Sequence, residues 1–109
     1  MSFKERQEQV DKIVSQYGGY WDPAYIVMQM YEETTEIGRI IARVYGDKPA
    51  KEGEELKDLG GELSDALYAI LCLANREEID LDEEWEKKLV ERTERDKDRF
   101  KKKDQTSKP

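Results

Sequence analysis

Two pairs of acidic residues share one spacing in this sequence, and their chemistry is that of a cation site. Glu33 and Glu36 are separated by two residues, and so are Glu62 and Asp65. Side chains three positions apart on an α-helix project from neighbouring positions on one face, so two antiparallel helices could bring all four carboxylates together. Because crowded like charges raise each other's proton affinity unless a cation neutralises them, the pattern predicts a metal site.

The alternative is that these acids are ordinary solvated helix faces. The chain contains 26 acidic residues, so pairs at this spacing also arise by chance. Two features favour the metal site. Neither pair has a basic residue one turn away on the same face, apart from Arg39 and Arg43 after the first pair. Each pair also borders an apolar stripe. The bordering apolar residues are Met30, Ile37, Leu63 and Ala66. Spacing alone leaves both interpretations open.

The absence of histidine excludes several classes of site. Ser-His-Asp and Cys-His catalysis, histidine-ligated zinc and the Glu-x-x-His di-iron sites of helical bundles all require this residue. The remaining carboxylates suit hard cations, and we therefore expect Mg²⁺ or Mn²⁺. The single cysteine, Cys72, cannot form an internal disulfide and lies in an apolar stretch, so we interpret it as a packing residue.

The composition indicates a small soluble protein that completes its core with a second copy. Of the 109 residues, 37% are hydrophobic and 41% are charged, so little apolar area is available for a private core. The apolar residues form helical stripes, which favours a homodimer or homotetramer over disorder. The net charge of −7 argues against binding to a nucleic-acid polymer. We see neither an apolar run of about 18 residues nor a leader sequence, and expect a cytoplasmic protein without a membrane partner.

Four helices account for the apolar periodicity, and no strand pattern is present, so the predicted fold is an all-α, four-helix bundle-like domain. We expect helices at about 2–17, 23–45, 54–77 and from Asp80 or Asp82 to about 100, with a polar loop at 46–53. The domain would span 1–100, and 101–109 would form a flexible basic tail. Gly60 and Gly61 fall inside the third predicted helix and indicate a kink or the close approach of another backbone.

Local signals define two of the helix starts. Ser2 and Glu5 form a capping-box pattern. Asp22 followed by Pro23 is typical of an N-cap and a first helical residue.

Five further side chains could contact an anionic or aromatic ligand, and each has an ordinary structural alternative. Trp21 could stack on a nucleobase or pack over the end of the first helix. Asn75 could bind a base or sugar, or simply end the third helix. Lys87, Arg95 and Arg99 could bind phosphate, or could pair with acidic neighbours on a solvated face.

In these residues the sequence resembles the MazG-like nucleotide pyrophosphohydrolases, an all-α family within the dimeric dUTPase-like superfamily. The family pattern is Glu-x-x-Glu on one helix and Glu-x-x-Asp on the next. It appears here as Glu33-Thr34-Thr35-Glu36 and Glu62-Leu63-Ser64-Asp65, with similar flanks at 71–75, 79–81 and 95–100. The match spans roughly 19–100. Thr34-Thr35 and Gly60-Gly61 depart from the usual residues, which puts local packing in doubt but leaves the four acids in place.

The resemblance implies a reaction, namely Mg²⁺-dependent hydrolysis of nucleoside triphosphates to nucleoside monophosphate and pyrophosphate. The substrates would include non-standard and deoxy nucleoside triphosphates, in a role that sanitises or balances the nucleotide pool. Without histidine, the proton of the attacking water must pass to a carboxylate or a metal-bound hydroxide, and Glu32 or Glu33 is the candidate base. The alternative is a non-catalytic helical module that binds nucleotide or mediates oligomerisation.

Overall fold

The computed structural model describes residues 2–46 and 58–107, with side chains described within 2–46 and 58–97. Four helices follow one another: α1 (Phe3–Gln16), α2 (Pro23–Tyr45), α3 (Leu59–Arg76) and α4 (Leu81–Ser107). The described ranges contain no strand, which confirms the all-α class. None of the helices in these ranges has an apolar stretch long enough to cross a bilayer.

The first two helices begin where their capping residues predict. The Ser2 hydroxyl accepts a hydrogen bond from the Glu5 backbone, and the Glu5 carboxylate accepts one from the Ser2 backbone, so two otherwise unpaired N–H groups are satisfied. Asp22 accepts a 2.9 Å hydrogen bond from the backbone N–H of Ala24, and Pro23 occupies the first turn of α2.

Two glycines form the turn between α1 and α2. Gly18 and Gly19 both have positive φ angles, of 97° and 95°. Because side chains strongly disfavour this backbone region, glycine allows the chain to turn sharply at the end of α1.

The later helix boundaries differ from the prediction. Helix α3 begins at Leu59, and the predicted start near 54 and most of the predicted loop lie outside the described residues. Gly60 and Gly61 therefore lie in the first turn of α3 rather than in its middle. Apart from the backbone of the same helical turn, a Cβ atom added at either glycine would meet no described atom within 4 Å, so no other described helix approaches them.

Helix α4 continues past Phe100, where we expected it to end, as far as Ser107. The helix is therefore longer than predicted, while the flexible basic tail at 101–109 stays a prediction. The segment 81–107 has no glycine or proline, so no residue in it breaks the helix even though its apolar side chains are few. The domain boundary near 100 stays a prediction.

The core lies where α1 crosses the α2–α3 pair. Val10, Ile26, Leu71 and Cys72 form a buried cluster, and the burial of Cys72 agrees with a packing role. Since Ile26 meets the end of α3 while Glu33 meets its beginning, α2 and α3 run antiparallel.

The apolar residues of α2 and α3 are not all used in this core. Ile40 is buried on α2, whereas the adjacent Ile41 is 39% exposed. On α3, Leu63, Leu67 and Ile70 are between 40% and 50% exposed. Their spacing of four and three residues places them on a common face of α3.

Helix α4 is attached to the rest of the molecule mainly through the start of α1. The Asp82 carboxylate accepts hydrogen bonds from the backbone N–H groups of Phe3 and Lys4, at 3.0 and 3.1 Å. The Phe3 and Trp85 rings pack with their centroids 5.3 Å apart. An acidic side chain of one helix thereby caps the N-terminus of another.

Candidate active site

Three acidic side chains meet between α2 and α3. Glu33 projects from α2, and Glu62 and Asp65 project from α3. One carboxylate oxygen of each lies within 4.8 Å of the others. Because α2 and α3 are antiparallel and Glu62 and Asp65 are three residues apart, both acids of α3 face the same turn of α2. We call these three residues the acidic cluster; they are three of the four predicted metal ligands.

The fourth predicted ligand, Glu36, lies one turn further along α2 and forms an ion pair with Arg39. Both side chains are partly exposed. Arg39 follows Glu36 by three residues, so the pair forms within one helix face. The charge of Glu36 nevertheless acts on the cluster, since it contributes to the raised pKa of Glu62. Its role as a ligand stays a prediction.

The electrostatics of the acidic cluster are unfavourable without a cation. The pKa of Glu62 is raised, first by desolvation, then by a hydrogen bond with Glu33 and by the negative charges of Glu33, Asp65 and Glu36. A bound proton therefore relieves part of the repulsion. A divalent cation would relieve it more completely, and a set made only of carboxylate oxygens fits Mg²⁺ or Mn²⁺ by ligand type.

A cavity of about 470 Å³ opens beside the acidic cluster, between the end of α1 and the α2–α3 pair. Most of its wall is apolar or aromatic. The lining residues are Ile13, Val14, Tyr17, Gly19, Tyr20, Trp21, Ile26, Gln29, Glu33, Asp65, Tyr68, Ala69 and Cys72. Glu33 and Asp65 thus belong both to the acidic cluster and to the cavity wall. The predicted stacking residue, Trp21, lies at this cavity and is 64% exposed.

Asn75 occupies a different polar environment at the end of α3. Its amide nitrogen donates to the Gln7 carbonyl at 2.9 Å and to the Tyr20 hydroxyl at 2.8 Å, while its amide oxygen accepts from the Gln7 side chain at 2.8 Å. The Tyr20 hydroxyl in turn donates to Asp11 at 2.7 Å. We call Gln7, Asp11, Tyr20 and Asn75 the amide network. It joins α3 to α1, and a substrate contact by Asn75 stays a prediction.

The basic candidates lie on α4, where acidic neighbours pair with them. The Lys87 ammonium is 3.2 Å from Glu83, and Arg95 bonds to Asp96 at 2.9 Å. Neither basic residue is among the described residues that line the cavity. The structure thus gives a structural partner to each and does not bring them to the acidic cluster of the same chain. The side chain of Arg99 lies outside the described residues.

The two candidate bases differ in position. Glu33 belongs to the acidic cluster, whereas Glu32 is exposed and does not line the cavity. Adjacent residues of an α-helix do not face the same side, so the position of Glu33 turns Glu32 away from the site.

Gln29 and Tyr68 were missed as site residues in the sequence. Gln29 precedes Glu33 by four residues and Tyr68 follows Asp65 by three, so both share a helix face with an acid of the cluster. This spacing was the available signal.

Comparison with known proteins identifies the family of this chain. A sequence model of the MazG nucleotide pyrophosphohydrolase domain matches residues 22–100, which include the acidic cluster and about half of the residues that line the cavity. The chain belongs to this family. The match begins at the N-cap of α2 and leaves out α1.

Two Bacillus proteins are similar over most of their length. YpjD of Bacillus subtilis strain 168, an uncharacterized protein, is 33% identical over 105 residues, which cover 95% of each chain. The crystal structure of YpjD, provisionally assigned as a pyrophosphatase, superposes with a TM-score of 0.76 at 32% identity, over 84% of this chain and 94% of that one. A Bacillus-conserved MazG protein, a nucleotide pyrophosphohydrolase, gives a TM-score of 0.72 at 26% identity, over 84% and 88%.

Proposed function

We propose that this protein hydrolyses nucleoside triphosphates to nucleoside monophosphates and pyrophosphate, with Mg²⁺ or Mn²⁺ as cofactor. One observation carries the proposal: Glu33 and Asp65 belong at once to the acidic cluster and to the wall of an apolar, aromatic cavity. A ligand that fills both places must have an apolar, stackable part joined to a part that binds a cation. A nucleotide has this construction, and non-standard and deoxy forms share it.

The aromatic side chains of the cavity support binding of the base. Tyr17 and Trp21 are 81% and 64% exposed and stand at the end of the cavity formed by α1 and the following turn. Aromatic faces stack on any nucleobase, which is worth about 1–3 kcal/mol per base. The described lining contains no lysine or arginine. We infer that the triphosphate charge is balanced at the acidic cluster, through the cation.

The residues of the acidic cluster would hold the cation and move a proton. When bound there, Mg²⁺ would neutralise phosphate charge and polarise the attacking water. Glu33 is the better placed of the two candidate bases, because it lies in the cluster and Glu32 does not. Water attacks the α-phosphorus, its proton passes to the Glu33 carboxylate, and the bond between the α-phosphorus and the bridging oxygen breaks to release pyrophosphate.

The direct test is pyrophosphate release from a panel of common, deoxy and damaged nucleoside triphosphates, with and without Mg²⁺. We expect activity that requires the cation and is lost in Asp65→Asn, while the helical circular dichroism signal remains. Glu86→Gln, on the exposed face of α4, is the matched control and should retain activity. If no nucleotide yields pyrophosphate and Mg²⁺ with nucleotide does not raise the melting temperature, the non-catalytic alternative is correct.

We further propose that the protein is a homodimer or homotetramer. Leu63, Leu67 and Ile70 present an apolar face on α3 that no described residue buries, and a small chain with many charges gains stability by covering such a face. Light scattering should give a mass above that of one chain, and Leu67→Glu should lower it. Val90→Glu, at an exposed apolar position of α4, is the control. A monomeric wild type would contradict the proposal.

A further inference from the structure

One polar side chain lies between the two halves of the site. Along the face of α2 that lines the cavity, Ile26 comes first, Gln29 follows, and Glu33 belongs to the acidic cluster. At a rise of about 1.5 Å per residue, Gln29 is about 6 Å from Glu33 along the helix axis. In a nucleotide the sugar lies between the base and the phosphates. If the base occupies the aromatic end and the phosphates meet the acids, as the proposed function requires, the sugar lies beside Gln29.

The amide of Gln29 is oriented by Glu33. Its Nε2 atom donates a 3.1 Å hydrogen bond to Oε1 of Glu33, and the pair is partly buried. A carboxylate can only accept in such a bond, so the nitrogen must face Glu33 and the amide cannot be reversed. The carbonyl oxygen Oε1 of Gln29 then remains as an acceptor. It makes no hydrogen bond to any residue that the structure describes.

An acceptor at this place selects for a hydrogen-bond donor on the ligand. Gln29 is the only side-chain amide among the described lining residues, and the hydroxyl of Tyr20, which lines the same cavity, is already engaged by Asp11 and Asn75. The donors that a nucleotide carries between its base and its phosphates are the hydroxyl groups of the sugar.

We propose that Gln29 is a specificity-determining residue whose carbonyl oxygen accepts a hydrogen bond from a sugar hydroxyl of the nucleotide, while its amide nitrogen positions Glu33. This inference rests on the proposed function for the direction in which the nucleotide lies. The ligand chemistry is a ribose or deoxyribose hydroxyl, and the 2′ and 3′ groups are distinguished by the substrates compared. The second task of the amide couples recognition of the sugar to the geometry of the acidic cluster.

The test compares three sugars on one base: the ribonucleoside, 2′-deoxy and 2′,3′-dideoxy triphosphates of whichever common base wild type hydrolyses fastest. We expect kcat/KM to fall about tenfold at the step where the recognised hydroxyl is removed, as is typical of one hydrogen bond. Gln29→Met keeps the length of the side chain but has no amide. In this variant the ratio of kcat/KM between the substrates with and without the recognised hydroxyl should fall to about one. A uniform loss of activity caused by a displaced Glu33 leaves this ratio unaffected, so the ratio isolates the contact with the sugar.

Binding of the product provides a second readout that does not require turnover. Calorimetric titration with the corresponding nucleoside monophosphates should give a tenfold ratio of Kd between the same two sugars in wild type. In Gln29→Met this ratio should be about one. Gln16→Met, at the exposed end of α1, is the matched control and should keep the wild-type ratio. Gln29→Leu repeats the experiment if the methionine variant melts at a lower temperature than wild type.

The outcomes separate the two proposals. If wild type treats all three sugars alike, or if both Gln29 variants lower activity uniformly and keep the ratio, Gln29 does not bind the sugar and this inference is wrong. If monophosphates bind with the expected ratio while no triphosphate yields pyrophosphate, the proposed function fails and the assignment of Gln29 stands.

Discussion

The acidic cluster and the amide network lie near opposite ends of α3, and they satisfy their polar groups in opposite ways. In the amide network, the Asn75 side chain donates hydrogen bonds to two acceptors and accepts one from a donor, so every donor meets an acceptor. In the acidic cluster, three acceptors face one another, and Gln29 supplies one of the few donors. A matched network stabilises the fold by itself. An unmatched cluster of like charges reduces stability, and such an arrangement is common where a ligand completes the site.

Substitution in the acidic cluster should produce the largest effect. We expect Glu62→Gln to lower Mg²⁺-dependent pyrophosphate release by about a thousandfold, because the cation loses a charged ligand. The same variant should melt at a higher temperature than wild type in EDTA, since one of three repelling charges is gone. Melting curves with and without Mg²⁺ check this. A lower melting temperature in EDTA would show that the cluster stabilises the fold and would remove the contrast with the amide network.

Substitution in the amide network should act on stability and not on chemistry. Asn75→Leu removes three hydrogen bonds that join α3 to Gln7 and Tyr20, so we expect a loss of about 2–4 kcal/mol in the free energy of unfolding. Urea unfolding measures this loss. At a temperature where the variant is folded, KM for the best triphosphate should match that of wild type. A KM raised tenfold or more would instead support the predicted contact between Asn75 and substrate.

The smallest expected effect concerns Tyr20 and depends on pH. Partial burial and the hydrogen bond to Asp11 raise the pKa of Tyr20 to about 12, against the opposing effect of the Asn75 hydrogen bond. Since the pKa is higher in the folded state, the hydroxyl contributes fully below about pH 10 and its contribution disappears as pH rises from about 10 to 12. We expect the free energy of unfolding of wild type to exceed that of Tyr20→Phe by about 1 kcal/mol at pH 8.

That difference should shrink above pH 10, which urea unfolding at several pH values would show. Tyr25→Phe, whose hydroxyl is on a side chain 64% exposed, is the control and should differ little from wild type at any pH. A difference between wild type and Tyr20→Phe that is constant up to pH 12 would contradict the expectation.

The features that depend on neighbouring residues were predictable from the sequence. The capping box of Ser2 and Glu5 and the start of α2 at Asp22 and Pro23 involve residues at most three positions apart, and both are confirmed. The acidic cluster was partly predictable for the same reason. The spacing within each pair defines a helix face, and antiparallel packing brings the faces together. The rotamer of Glu36 was not predictable, because Arg39 competes for it.

Features that depend on distant residues were not predictable. The amide of Asn75 is engaged by Gln7, which is 68 positions away in the sequence, so its structural role was invisible until α1 and α3 were placed together. Likewise, both Ile40 and Ile41 fit an apolar stripe on α2, and only the position of α3 decides that Ile40 is buried. Helix α4 exceeds its predicted length because helix-forming polar residues sustain it where the apolar pattern fades.

The contact between Asp82 and the start of α1 has a consequence for synthesis of the chain. The backbone N–H of Phe3 finds its carboxylate partner 79 positions later. At about 5–20 residues per second, a ribosome needs about 4–16 s to make that interval. The capping box of Ser2 and Glu5 can form as soon as these residues are made. The backbone N–H groups of Phe3 and Lys4 remain bonded to water until α4 begins to emerge. Docking of α4 is therefore among the last events of folding, and the first helix to be made is among the last to be completed.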